Sequence, residues 1–313
     1  MFKSVRTVMM FRALSHSPGG AAKGKQQGQK QGQKRGRKQE QVRKKVESHV
    51  QAMNIIVCVK QVPAVSAVGI DEETGVLLRE GAQAKLNPYD LYALEAAFLL
   101  RERHGGTVTA VTMGPPQAAQ AVREAFYMGA DDGYVFSDAK FAGADVLATS
   151  YTVSQGIRLL GRFDLIVCGK QTTDGDTAQV GPALAEYLGI PHVAWVEHFE
   201  GKEDGILVRQ DLPDSRETAF MKYPCLMTVE RGALVPRLPS YRRMKEMRDR
   251  PVGVLSFDDF LDRDEGKYGL AGSPTRVVKM FPPQANEGHE VWTGDGAALA
   301  ARISGKLKEM KYM

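Results

Sequence analysis

Apolar residues in this chain come in short runs bounded by turn residues. Residues 55–59 (IIVCV), 108–113 (VTAVTM), 134–136 (YVF), 165–168 (LIVC) and 226–230 (LMTVE) are of this kind. Such runs predict strands buried on both faces, as in a parallel sheet. Between them the spacing turns helical. Asn87 can cap a helix, Pro88 suits its first position, and Asp90 follows three residues after the cap. Leu91, Leu94 and Phe98 then share a face, and Gly105-Gly106 ends the helix. Gly114-Pro115-Pro116 turns the chain into a second helix ending near Gly129. Residues 144–160 predict a third, packed through Leu147, Tyr151, Ile157 and Leu160. Thr177 opens a fourth that carries Val180, Leu184, Tyr187 and Leu188. Residues 193–196 read as a strand. Extended runs at 206–210 and 218–220 flank Pro213-Asp214 and predict an antiparallel hairpin. Past Pro251 the pattern weakens. Residues 258–283 are rich in Gly, Pro and charge, and 297–310 predict a terminal helix. An arm of this kind has little private core, which packing on a partner chain or a flexible tail would explain.

Strands alternating with helices predict an α/β fold: a mainly parallel twisted sheet with helices on both faces, Rossmann-like, with an antiparallel hairpin added and an extended C-terminal arm. The expected organisation is a disordered basic extension (1–52), an α/β nucleotide-binding domain (53–250) and the arm (251–313). Ligands of such sheets lie beyond the carboxyl ends of the strands. Three loops leave those ends, at 60–63, 114–116 and 169–177, and can converge on one ligand.

Charge changes the picture of the ends. The chain has 313 residues and a net charge of +5, but residues 1–52 hold 13 Lys/Arg against Glu40 and Glu47. The remainder holds 29 basic and 35 acidic residues, so the body is acidic. A nucleic-acid role is therefore not expected unless the tail itself binds. The tail GKQQGQKQGQKRGRKQEQ has too few apolar residues to offset the entropy of ordering it. Three readings of it stay open: an extension upstream of a natural start at Met53, an organelle transit peptide, or a segment that binds polyanions nonspecifically. Three scattered cysteines, Cys58, Cys168 and Cys225, fit a reducing compartment rather than a disulfide scaffold. No apolar run approaches the roughly 18 residues of a membrane span.

The stretch from Asp164 to Gly189 carries the most chemistry. A buried strand runs into a Gly/Asp loop and then a helix start, where free N–H groups attract phosphate oxygens. Gly175 and Gly181 allow close backbone approach. Asp174 and Asp176 repel phosphate, so at least one should face ribose hydroxyls or cap N–H groups; a plain strand-to-helix turn is the simpler alternative. Lys60 can neutralise a phosphate or pair with an acid. Cys58 and Cys168 read as core residues. His104, His192, His198 and His289 are dispersed, no metal-ligand spacing appears, and no activated nucleophile is visible. The Walker-type phosphate loop and GxGxxG are both missing. The residues point to binding, with any redox chemistry supplied by a cofactor.

The motifs VCVKQVP (57–63), LNPYDLYALEAA (86–97), VTMGPPQA (111–118), GADDGYVFSD (129–138), FAGADVLATS (141–150), GKQTTDGDTAQVGP (169–182) and GSPTRVVKMFPP (272–283) occur in order. From Met53 onward the chain thereby resembles the β subunits of electron transfer flavoproteins. The resemblance implies a heterodimer with an α subunit that carries FAD. It also implies a nucleotide pocket formed by Cys58, Lys60, Asn87, Pro88, Tyr89, Asp90, Met113, Asp174, Gly175, Asp176, Thr177, Ala178, Gln179, Val180, Gly181, Pro182, Ala183, Leu184 and Ala185. In simple members that pocket holds AMP, and the protein carries electrons from acyl-CoA dehydrogenases. In bifurcating members it holds a second FAD, which takes hydride from NADH and divides the electrons between ferredoxin or flavodoxin and an acyl-CoA dehydrogenase. The FAGAD and GDTAQVGP wording is more similar to the bifurcating group, although that group usually has Thr where this chain has Val146. Residues 233–244 (ALVPRLPSYRRM) occupy the place of the family's partner-recognition loop, about one residue shorter. No catalytic side chain and no metal are implied. The implied location is the cytoplasm, or the mitochondrial matrix if residues 1–52 are a transit peptide. The contrasting expectation is a nucleotide-binding hydrolase that acts alone.

Overall fold

The computed structural model describes residues 52–64, 84–276 and 290–313. The basic tail up to residue 51, the turn expected near 71–75 and most of 272–283 lie outside the described residues. The apolar runs become β1 (Met53–Cys58), β4 (Gly106–Met113), β5 (Asp132–Phe136), β6 (Leu165–Gly169) and β10 (Cys225–Val229). Two short strands, β2 (Gln61–Pro63) and β3 (Ala84–Leu86), pair separately and antiparallel. The helices are α1 (Pro88–His104), α2 (Ala119–Met128), α3 (Val146–Leu159), α4 (Val180–Leu188), the short α5 (Tyr241–Glu246) and the terminal α6 (Gly296–Glu309).

With β7 (His192–Gly201), β8 (Gly205–Asp211), β9 (Arg216–Lys222) and β11 (Gly253–Leu255), the main sheet has nine strands in the order β11-β5-β4-β1-β6-β10-β7-β8-β9. Pairing from β11 through β7 is parallel, and β7-β8-β9 is antiparallel. The fold is therefore α/β as the pattern predicted. Alternation across the pleat sends Ile55, Val57, Leu165, Val167, Met227 and Val229 into one apolar layer with α1 and α2. Ile56, Ile166, Cys168 and Leu226 enter the other, with α3 and α4. β4 and β6 flank β1 on opposite sides, so the direction of strand addition reverses at β1. A crevice at the carboxyl ends is expected at this point.

Three expectations change. The strand expected at 193–196 extends to Gly201, because β7 changes partner partway along. It pairs with β10 up to Val196 and with β8 from there, through a bulge that puts Trp195 at φ 58. Leu147, expected to pack, is 45 % exposed, since it lies in the first turn of α3 away from the sheet. The segment past Pro251, expected to have little core, begins with β11 on the edge beside β5. It then buries Phe257, Phe260 and Tyr268 against Phe136, Phe141 and Tyr151. Residues 253–273 thus belong to the α/β body, and the expected boundary at 250 cuts through it. Ser273 and Thr275 anchor this segment at the start of α3. Ser273 Oγ accepts from the Asp145 N–H (2.8 Å), and the Asp145 carboxylate accepts from the Thr275 N–H and hydroxyl. α6 is capped by Asp295, which accepts from the N–H groups of Ala297 and Ala298, and none of its side chains is buried. Among the described residues no helix is long and apolar enough to cross a membrane.

Candidate functional site

At the carboxyl ends of β1 and β6 the loops meet around Asn87 and Asp90, both buried. Asn87 precedes α1 but makes no capping bond. Its side-chain amide instead donates to Asp90 Oδ1 (2.9 Å) and to the Gln171 carbonyl (2.9 Å), and its Oδ1 accepts from the Thr173 N–H (3.3 Å). Asp90 Oδ2 accepts the Lys60 N–H at 2.7 Å. The capping role expected of Asp90 is therefore corrected. The Asn87 N–H that it would have satisfied is already donated to the Lys60 carbonyl (2.9 Å). Two adjacent side chains thus tie the loop after β1 and the loop after β6 to the start of α1.

Gly169 makes this packing possible. A Cβ there would lie 2.5 Å from Asp90 Oδ1 and 2.7 Å from the Tyr89 carbonyl carbon. Burial pushes the Asp90 carboxyl up to about 7, against the opposing effects of the Asn87 and Lys60 bonds. Below it, Cys58 and Cys168 lie in register on β1 and β6. The bond from Cys58, together with burial, pushes the Cys168 thiol well up, so it is no nucleophile. Cys58 itself is only half-buried, at the rim rather than in the core.

Of the two roles open to Lys60, the structure shows the ion pair. Its Nζ donates to both oxygens of Asp174, at 2.8 and 2.9 Å. Partial burial alone would raise the Asp174 carboxyl, but Lys60, Thr172 and the Gly175 N–H hold it below the usual range. Asp176 accepts from the Gln171 side chain. The helix expected to open at Thr177 opens instead at Val180, with Gln179 before it and no side-chain cap. The cause is local. Asp176 (φ 51) and Ala178 (φ 55) take the left-handed conformation, which a right-handed helix excludes. The N–H groups of Val180 and Gly181 are first-turn donors without an intrahelical acceptor, and Pro182 has no N–H. Gly181 is held tightly on the sheet, where a Cβ would be 2.6 Å from Thr228 Cγ2.

Cys58, Lys60, Asn87, Tyr89, Asp90 and residues 171–181 are thus gathered at one edge. Met113 ends β4 on the same edge, half-buried. Pro88 serves as the first residue of α1. Leu184 and Ala185 point into the apolar layer under α4, away from the loops. Pattern reading missed a neighbouring cluster. Lys170 Nζ bonds Glu230 Oε2 (2.6 Å) and lies 4.8 Å from the centre of the Trp195 ring. Lys170 and Glu230 directly follow two strands that the apolar runs had located, which was the available signal. Replacing Asn87 with alanine should cost about 2 kcal/mol, because Asp90, Gln171 and Thr173 each lose a partner. Urea denaturation measures this, and a midpoint equal to wild type would contradict the account.

The donor set suits an adenine nucleotide. Backbone N–H groups at a helix start and a lysine face carboxylates able to accept ribose hydroxyls, beside the half-buried Cys58 and Met113. Comparison with known proteins places this geometry in context. Residues 74–259 match the model of the electron transfer flavoprotein domain. The chain is 42% identical over 261 residues to the electron transfer flavoprotein subunit beta of Clostridium acetobutylicum, covering 83% of this chain and all of the relative. It is 40% identical over 259 residues to the caffeyl-CoA reductase-Etf complex subunit CarD of Acetobacterium woodii, covering 82% and 98%. It is 41% identical over 243 residues to the acryloyl-CoA reductase electron transfer subunit gamma of Anaerotignum propionicum, covering 75% and 91%. Strand-exit loops gathered at the β1 switch point, a domain match over residues 74–259 and identities of 40–42% over 75–83% of this chain lead to one conclusion: the chain belongs to the electron transfer flavoprotein family, as a β subunit.

Proposed function

We propose that this β subunit works in a heterodimer with an α subunit and holds FAD in the crevice beside Asn87 and Asp90. In this reading it takes electrons from NADH and divides them between ferredoxin or flavodoxin and an acyl-CoA dehydrogenase. The observation that carries the reading is the convergence of the loops after β1 and β6 with the starts of α1 and α4. A bound flavin would supply the redox chemistry. The chain's own residues bind and orient. The N–H groups of Val180 and Gly181 and the Lys60 ammonium receive phosphate oxygens. Asp174 and Asp176 accept hydroxyl hydrogens. Asn87 and Asp90 hold the loops in place beneath. Two relatives named as parts of CoA-ester reductase systems support a CoA-ester enzyme as the partner class. Residues 233–244, held to α1 by Arg237 on Glu95 (2.8 and 2.9 Å), expose Val235 and Leu238 and are the proposed contact with that enzyme.

The test is coexpression with the α subunit, followed by extraction of the bound nucleotides. Two FAD per heterodimer and flavin reduction on NADH titration are expected. One FAD plus one AMP would replace this reading with that of a conventional carrier using a structural nucleotide.

A further inference from the structure

We propose that Cys58 and Cys168 form a peroxide-responsive dithiol at the base of the crevice, in which a hydroperoxide converts the two thiols into a disulfide that ties β1 to β6. The inference needs no bound nucleotide and stands apart from the reading above. Strand register carries the argument. Cys58 and Cys168 are direct partners in the parallel β1–β6 ladder. Adjacent strands lie about 4.8 Å apart, and a disulfide spans Cα separations of about 4.4–6.8 Å, so the backbone already holds the pair within bridging distance. Both side chains enter the apolar layer under α3 and α4, and their thiols are bonded to each other. Cys168 also packs under the start of α4, with its Cβ 3.7 Å from where a Cβ on Gly181 would lie. The third cysteine reaches neither of them. Cys225 pairs with Leu165, three residues before Cys168, and enters the opposite layer.

Exposure divides the chemistry between the two sulfurs. Cys58 is half-buried at the rim, whereas Cys168 is 6% exposed. A hydroperoxide therefore meets Cys58 first. The Cys58 sulfur attacks the peroxide O–O bond and becomes a sulfenic acid, and an alcohol leaves, or water where the oxidant is hydrogen peroxide. The Cys168 sulfur then displaces the sulfenic oxygen. An S–S bond forms, the S–O bond breaks, and the oxygen leaves as water with the Cys168 proton. The two thiols lose two electrons, which the peroxide gains. Cys168 is too firmly protonated to attack a free reagent, but the chief cause is its bond to Cys58, and that bond goes when Cys58 is oxidised. Contact between the two side chains then supplies the high effective concentration that the second step needs. A dithiol reductant reverses the reaction by attack at the more accessible Cys58 sulfur.

The experiment uses the full-length chain, alone and with a coexpressed α subunit, reduced and freed of bound nucleotide. Hydrogen peroxide is added in small molar excess, and peptide mapping under non-reducing conditions reads the products. The peptides that carry Cys58 and Cys168 should appear joined, the intact chain should lose about 2 Da, and dithiothreitol should reverse both changes. Free thiols of this chain, counted after denaturation, should fall from three to one. Cys168→Ala should leave a sulfenic acid on Cys58 that dimedone traps. Cys58→Ser should keep Cys168 and Cys225 reduced. Thermal melts show whether each variant folds, and the wild-type linkage map decides the matter without them. Three intact thiols after treatment, a bridge to Cys225 or between chains, or oxidation of Cys58 to a sulfinic acid with Cys168 still free overturns the inference.

Discussion

Phe260→Ala is expected to lower the stability of this protein by about 4 kcal/mol, whereas Leu261→Ala next to it should change little. Phe260 is 1% exposed. Its ring stacks on Phe141 (5.3 Å between centroids, 16° between planes) and meets Phe136 edge-on (6.2 Å, 74°). Tyr268 closes the cluster at 6.0 Å. Truncation removes a large buried surface and leaves a cavity whose walls belong to β5, the residues before α3, and the 257–268 segment. Those walls cannot collapse readily, because they are held independently. The Tyr268 hydroxyl donates to the Asp262 carbonyl (2.8 Å), and Lys267 Nζ donates to Asp262 Oδ2 (2.7 Å). Leu261 is 81% exposed and loses no packing. Urea denaturation of both variants decides the matter. Equal midpoints would mean that residues 253–273 are not part of the cooperative unit.

The second large effect is electrostatic. Asp90 is buried, and desolvation lifts its folded-state pKa to about 7, against about 4 in an unfolded chain. A carboxyl raised in this way contributes its full stability below the unfolded pKa and loses it as pH rises through the folded one. Each pH unit in that window costs about 1.4 kcal/mol, so about 4 kcal/mol should be lost between pH 4 and pH 7. Asp90→Asn removes the titration. Wild type should be the more stable of the two near pH 4, and the difference should move by about 4 kcal/mol in the variant's favour by pH 8. Asp174 and Cys168 also face this carboxyl; Asp174 is held below the usual carboxylate range and Cys168 well above the usual thiol range, so neither changes charge in that window. Denaturation at several pH values on the nucleotide-free chain gives the difference directly. A difference independent of pH would refute the assignment.

These effects sit where sequence reading and structure part company. Val167, Ile166 and Met227 announced buried strands because a parallel sheet covered on both faces tolerates only continuous apolar runs. Pro88 and Gly105 marked the ends of α1 because their backbone preferences act locally. The bonds of Asn87 were not legible. Its partners Gln171 and Thr173 lie more than 80 residues away. Its neighbourhood suggested a cap, and only the folded chain offered stronger partners. Thr177 misled for a related reason. Thr is a good cap, but left-handed residues at 176 and 178 delay the helix, and neither is a glycine that would have advertised the turn.

By itself, the sequence determined the α/β class, most of the strands and helices of the body and the family that shares its motifs, but not β2, β3, β11 or α5. These follow from local periodicity and ordered motifs, which need no knowledge of what touches what. Tertiary structure alone decided that Lys60 answers to Asp174, that Asp90 is buried at the junction of loops, and that residues 253–273 complete the core. Each of these depends on side chains distant in sequence meeting in a low-dielectric interior or at its rim, where a partner's identity outweighs a residue's own preference.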